Sequence, residues 1–250
     1  MKEGDHLSLK RPTLPWARFL RALKDAVKWA LWPKTLYLDC YFTKTIVRRY
    51  CRGFGCEIGP GVNPQTPRKN TIYLDRYVEY LAGMPINLDV QADAMSLPFA
   101  TGCLDYLVSS HALEHCPDTL RVLEEWSCAL KPGGILLLRL PHRDRCFDRD
   151  RPLTSLAHHI EDYERKIGYD DQTHWQEFLD CSMPYQHAWK EDARKPDGSF
   201  DIDYIVGRGK IHYHVWTQTE MVDILRYLNF RIRYLMDDIP DRGDSFVIVE

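Results

Sequence analysis

Apolar residues in the middle of this chain fall into short runs bounded by turn formers, and these runs alternate with stretches of helical spacing. Thr71-Ile72-Tyr73-Leu74 is β-branched and aromatic and reads as a strand. Leu104 to Ser110 and Ile135 to Leu140 read as further, buried strands, and a shorter apolar segment precedes Ala92. Strands alternating with helices predict a mostly parallel α/β sheet. Toward the end, Thr217-Gln218-Thr219-Glu220 has the arrangement of a capping box, and Met221, Ile224, Leu225 and Leu228 follow at helical spacing. Phe230 to Met236 and Ser245 to Val249 then read as two strands able to pair as an antiparallel hairpin across the turn-rich Asp237 to Asp244.

Two regions stand outside this alternation. Trp16 to Trp32 has helical spacing with cations interleaved, so residues 1–35 are expected to carry an amphipathic basic helix ended by Pro33. Its apolar runs are too short and too charged to span a bilayer. It fits either packing on the core or peripheral contact with an anionic membrane surface through Trp16, Phe19, Trp29 and Trp32. Residues 36–250 then form one domain, a size that can bury a sizeable core. Within it, about 141–215 is an insertion that the sheet does not require. It begins at the carboxyl end of a strand, where open α/β sheets place their ligands. There Phe147 to Tyr163 reads as a loop and then a helix capped by Thr154 or Ser155, and Asp201 to Gly209 reads as a loop.

The candidate chemistry starts at Cys56-Glu57-Ile58-Gly59-Pro60-Gly61-Val62-Asn63. Two closely spaced glycines behind an acid suit a backbone turn pressed against a ligand, although a Gly-Pro-Gly turn by itself is ordinary punctuation. Asp75, at the end of the next strand, is placed to accept hydrogen bonds from ribose hydroxyls. Asp93 follows the third apolar segment, so acids recur at strand ends. Only Pro64 to Asn70 separates the glycine turn from the following strand, which is too short for a crossover helix of the usual length; a truncated or irregular link is expected.

Four elements in this order, the glycine turn, Asp93-Ala94-Met95-Ser96-Leu97-Pro98-Phe99, Leu113-Glu114-His115 and Lys131-Pro132-Gly133-Gly134, resemble the class I S-adenosylmethionine-dependent methyltransferases of the type 11-like branch. The resemblance covers about residues 54–140 and resumes near Trp216. It implies a three-layer, Rossmann-like, seven-stranded, mostly parallel sheet with a C-terminal antiparallel hairpin, and S-adenosyl-L-methionine as cofactor. It implies that Glu57, Gly59, Pro60 and Gly61 line the methionine end, Asp75 and Arg76 the ribose side, Asp93 and Ala94 the adenine, with Ser110 and His111 flanking from the fourth strand. Asn63 stands where the family has its third glycine. Asp150-Arg151-Pro152-Leu153-Thr154 through His158-His159-Ile160-Glu161-Asp162-Tyr163 is further similar to methyltransferase-like proteins of bacterial surface-glycan synthesis, which implies a sugar or glycan hydroxyl acceptor.

The insertion holds seven of the ten histidines. His158 and Asp162 lie four apart and share a helix face. They could form a base oriented by a carboxylate, or, with one of His142, His174 or His212, a divalent-metal site; a hydrogen-bonded helix face is the plain alternative. No spacing matches a recognised metal signature, so no metal is assigned and no structural zinc is expected. His142, two residues past Leu140, is expected to face the cleft, which makes His142, His158 and Asp162 the catalytic candidates. Trp175, Tyr185 and Trp189 fit either a sugar face or a small core.

Composition narrows the partners. A net charge of -3 gives no case for nucleic acid, and eight cysteines without a CxxC pair point to reduced thiols in the cytoplasm. The reading is O-methylation of a small molecule or glycan. A non-catalytic binding protein on the same sheet and an NAD-dependent enzyme are the alternatives, and oligomeric state is not legible.

Overall fold

The computed structural model describes residues 43–80, 83–187, 189–237 and 244–250. The expected N-terminal amphipathic helix lies outside them. The described chain opens on a helix over 43–50 (α1) and runs through β1 (Gly55–Ile58), β2 (Thr71–Asp75), β3 (Val90–Gln91), β4 (Leu104–Ser110), α2 (Thr119–Ala129) and β5 (Leu130–Leu140). The insertion contributes α3 (Leu156–Arg165), a helical turn α4 (Trp175–Glu177) and α5 (Ile202–Gly207). The chain closes with α6 (Gln218–Tyr227), β6 (Ile232–Asp237) and β7 (Ser245–Val249).

The seven strands form one sheet in the order β3-β2-β1-β4-β5-β7-β6. The pairs from β3 through β5 are parallel, and β7 runs antiparallel to both β5 and β6, as the terminal hairpin requires. β1 is buried along its whole length, as a parallel strand covered on both faces must be. Alternation along β4 serves two cores. Leu107 joins Trp126, Leu123, Ile224 and Leu225 on the α2 and α6 side, while Tyr106 and Val108 pack with Ile46 and Val47 of α1. The sheet is therefore a middle layer. The chain direction reverses its order between β1 and β4, the position where open α/β sheets leave a crevice at the strands' carboxyl ends.

Local signals explain most boundaries. Thr217 and Glu220 form the reciprocal capping box at the start of α6. Ser155, not Thr154, caps α3; Thr154 Oγ1 accepts Val215 N–H at 3.1 Å and ties the segment before α3 to the one before α6. Lys131 to Gly134 is a bulge inside β5, since Leu104 pairs with Leu130 and Tyr106 with Ile135. Between β1 and β2 the described residues contain no helix, so the short link is irregular, as its length demands. Asp201 to Gly209 differs from the loop expectation. Asp201 caps α5 by accepting Tyr204 N–H, and Ile205 is buried in a core of the insertion with Phe178, Met183, Trp189, Ile211 and Tyr213. Trp189 belongs to that core, whereas Tyr185 is less buried and bonds Asp150. No helix among the described residues is long and apolar enough to cross a membrane.

Candidate functional site

The strand ends bring the acids of β1, β2 and β3 into one row, since β1 lies between β2 and β4 in register. Glu57, only 1% exposed, sits where the missing crossover helix would begin. The short link folds back onto it: Oε1 accepts Gln65 N–H at 2.7 Å, and Oε2 accepts Thr66 N–H at 2.8 Å and the Thr66 hydroxyl at 2.5 Å. Burial nevertheless pushes its pKa from the ordinary 4.5 up to about 7, against the pull of those three donors. Gly59 and Gly61 both have left-handed backbones, with φ of 67° and 52°. A Cβ at Gly59 would stand 2.8 Å from that of Ala112, whereas one at Gly61 would meet only the Tyr80 ring at 3.7 Å. Gly59 is thus demanded by the fold, and Gly61 leaves room for a ligand against its backbone.

Asp75 closes β2, and its Oδ1 accepts Tyr77 N–H at 3.0 Å. Asp93 is engaged more fully. Its Oδ1 accepts Met95 N–H at 2.8 Å and the Tyr169 hydroxyl at 2.9 Å, and its Oδ2 lies 3.5 Å from Arg76 Nη1. The Arg76 guanidinium in turn lies 3.9 Å from the centre of the Tyr169 ring. Burial raises the Tyr169 phenol well above its ordinary pKa, so it stays a donor. Ala94 is fixed through its carbonyl, which accepts Trp126 Nε1–H at 2.9 Å. Tyr169 belongs to the insertion and had no marker in the sequence, yet it touches the acid expected at the adenine.

At the end of β4, Ser110 stands beside Arg139 of β5, and His111 takes a left-handed φ of 54°. His111 Nε2 bonds Asp244 Oδ2 at 2.9 Å, and its Nδ1 lies 3.5 Å from Glu114 Oε1. Burial alone would lower its pKa, but the two carboxylates outweigh this and hold it up to about 9, so the ring is an imidazolium at neutral pH. Arg139 also grips Asp244 at 2.8 Å. Glu114 is 1% exposed, and the His111 imidazolium at 3.5 Å from Oε1 helps hold its carboxyl below the ordinary range against burial; no shorter hydrogen bond reaches either oxygen among the described residues. Around it stand His115, whose pKa burial pushes down to about 4, and His212, whose Nδ1 bonds Asp148 Oδ2 at 2.6 Å. The sequence offered Glu114 only as part of Leu-Glu-His; its burial follows from the insertion closing over it, where Tyr213 N–H bonds the Glu114 carbonyl.

His142 turns elsewhere. Its Nδ1 accepts Asp144 N–H at 3.2 Å and its Nε2 lies 3.9 Å from Asp237 at the end of β6, so the ring faces the antiparallel edge of the sheet. His158 and Asp162 do share a face of α3, with Nε2 and Oδ2 3.1 Å apart, but they do not stand as a pair. His174 and His214 converge on the same Asp162 oxygen at 3.4 and 2.9 Å. Burial works to raise the Asp162 pKa, and the three imidazoles outweigh it, holding the carboxyl far below its ordinary range.

Residues 40–138 match the family model described as a methyltransferase domain. A demethylmenaquinone methyltransferase of Staphylococcus saprophyticus is 35% identical over 65 residues, 26% of this chain and 24% of that protein. An uncharacterized methyltransferase of Mycobacterium sp. is 43% identical over 49 residues, 20% of this chain and 19% of the other. This chain thus spans a quarter or less of these relatives' own length. A solved structure from Thermotoga maritima, described as a possible histamine N-methyltransferase, overlaps 94% of this chain and 98% of its own at 16% identity, with a TM-score of 0.47.

Proposed function

We propose that this chain is a class I S-adenosylmethionine-dependent methyltransferase, a reading supported by the match of residues 40–138 to the methyltransferase-domain model, and that it methylates a hydroxyl oxygen of a small molecule, sugar or glycan. In this reading Glu57, Gly59, Pro60 and Gly61 hold the methionine end of the cofactor, Asp75 and Arg76 its ribose side, and Asp93 and Ala94 its adenine. Ser110 and His111 flank it. The residues fit such a group: the Gly61 backbone is open to a ligand, and Asp75, a carboxylate with several lone pairs, can accept a ribose hydroxyl beside the backbone N–H groups of Arg76 and Tyr77. The bound cofactor supplies a methyl group on a cationic sulfur, already activated for in-line displacement, so the protein has to orient the acceptor and take one proton.

Glu114 carries the choice of acceptor. Glu114 is buried with the His111 imidazolium at 3.5 Å and no shorter donor, and a substrate hydroxyl would supply a closer one. His111 already balances the Glu114 charge at 3.5 Å, which favours a neutral hydroxyl over an ammonium group. Glu114 then receives the hydroxyl proton as the oxygen is methylated. The test is incubation with methyl-labelled cofactor and a fractionated cell extract, followed by identification of the labelled product. A methyl ether is expected; label on nitrogen, on carbon or on a carboxylate as an ester refutes the reading. Glu114→Gln should lower kcat by about a hundredfold or more while leaving cofactor affinity unchanged.

One observation favours a second reading, a chain that keeps the sheet without catalysis: Tyr169 and Arg76 already engage Asp93. Calorimetry with S-adenosylmethionine and its demethylated product separates the two, since heat from neither ligand would leave only the binding-protein reading. The nicotinamide alternative has no counterpart in the family match.

A further inference from the structure

The histidine cluster of the insertion is independent of the cofactor row. Its donors are His158 and Asp162 on α3, His174 at the start of α4 and His214 in the segment leading to α6. His158 Nε2 and His174 Nε2 stand 2.9 Å apart. Asp162 Oδ2 lies 3.1 Å from His158 Nε2, 3.4 Å from His174 Nε2 and 2.9 Å from His214 Nε2. Four donors placed about 2.05 Å from one centre at tetrahedral angles lie about 3.3 Å from each other, the scale of these separations. The three rings meet edge to face, at 90°, 74° and 81°, so they radiate from a point instead of stacking.

The outer contacts set the protons. The Thr173 hydroxyl donates to Asp171 Oδ1, so toward His174 Nδ1, 3.1 Å away, Thr173 Oγ1 can only accept. His174 therefore carries its proton on Nδ1 when neutral and turns the lone pair of Nε2 inward, toward a carboxylate oxygen. Thr119 Oγ1 lies 3.2 Å from His214 Nδ1 and can accept its N–H in the same way. Two electron-rich atoms facing one another across this gap are relieved by a proton or by a metal ion between them, and the convergence of four donors suits the metal. Outer partners that fix the imidazole tautomer are the usual support of metal-bound histidine.

We propose that His158, Asp162, His174 and His214 form a closed, four-coordinate site for a divalent transition-metal ion of the zinc type. Three imidazoles and one carboxylate suit zinc in hardness and geometry, and four protein ligands leave no open position, which makes the site structural. The ion clasps α3, the start of α4 and the 214 segment together, and through Thr119 ties them to α2 of the sheet domain. Asp162, His174 and His214 are buried, while the His158 side chain is 42% exposed and gives the ion its entry.

The test uses the full chain, stripped with a chelator, dialysed and titrated with cobalt(II). One equivalent should bind with the intense visible bands of tetrahedral cobalt, be displaced by zinc, and raise the midpoint of thermal unfolding. His158→Ala, at the exposed edge and verified folded by circular dichroism, should weaken binding by at least tenfold to a hundredfold, the loss that removal of even an outer partner produces. His115→Ala serves as the control for the neighbouring group of Glu114, His115 and His212 and should leave the spectrum unchanged. The proposal is overturned if the wild-type chain binds no equivalent, if its bound cobalt lacks tetrahedral bands, or if binding survives His158→Ala and is lost in His115→Ala.

Discussion

Replacing Glu57 by Gln should shift stability toward the variant as pH rises while weakening the cofactor. In the folded chain this carboxyl titrates at about 7 instead of 4.5, because burial outweighs its three donors. Each tenfold change in proton affinity is worth about 1.4 kcal/mol, so the ionised form costs the fold about 3 kcal/mol relative to the protonated one. The sign follows from a folded pKa raised above the unfolded one. The stabilising contribution of this group is complete below pH 4.5 and is lost as pH rises through 7. Gln does not titrate, but its amide NH2 meets one of the backbone donors that the carboxylate accepts, a cost that is the same at every pH. The stability of Glu57→Gln relative to wild type should therefore rise by about 3 kcal/mol between pH 4 and pH 8.5. Urea denaturation followed by tryptophan fluorescence at the two pH values, with buried Trp126 and Trp216 as reporters, measures the difference. Cofactor affinity should move the other way, falling about tenfold to a hundredfold, since a cationic ligand gains from the charge that the fold tolerates. A stability gap that does not change with pH, or that moves toward wild type as pH rises, would refute the assignment of a costly buried charge.

Asp75→Ala should weaken cofactor binding by about 1.5–3 kcal/mol, as charge-assisted hydrogen bonds to the ribose disappear; unchanged affinity in calorimetry removes Asp75 from the site. Gly59→Ala and Gly61→Ala should separate fold from function. The first meets Ala112 at 2.8 Å and should lower the unfolding midpoint sharply, while the second should cost only about 1–2 kcal/mol for its left-handed backbone and lose cofactor affinity. Equal stability of the two in a thermal melt would contradict the packing described for Gly59. Tyr169→Phe frees Asp93 Oδ1 from the phenol and should tighten the cofactor severalfold, in line with about 0.5–1.5 kcal/mol for one hydrogen bond. Weaker binding would instead make the phenol part of the cofactor's wall.

By itself the sequence determined what depends on near neighbours and on period. Apolar runs bounded by turn formers located β2, β4 and β5, and Thr217 with Glu220 located the start of α6, because capping and strand patterning act within a few residues. The acids at strand ends were legible for the same reason: a parallel sheet carries the ends of successive strands to one edge wherever each strand stops. The missing crossover helix could also be read, from chain length alone. Tertiary structure decided everything that depends on distant segments meeting. Asp201 to Gly209 is polar enough to pass for a loop and becomes α5 because Ile205 finds a core supplied by Phe178 and Ile211. Tyr169 reaches Asp93, and Glu114 is buried, because the insertion folds over the strand ends. His158 and Asp162 were visible as one helix face, but His174 and His214 arrive from separate segments with no periodic relation to it, so the spacing argued against a metal where the fold assembles four donors. Helical period reports only what one element can present, and a coordination sphere built from three elements leaves no period to read.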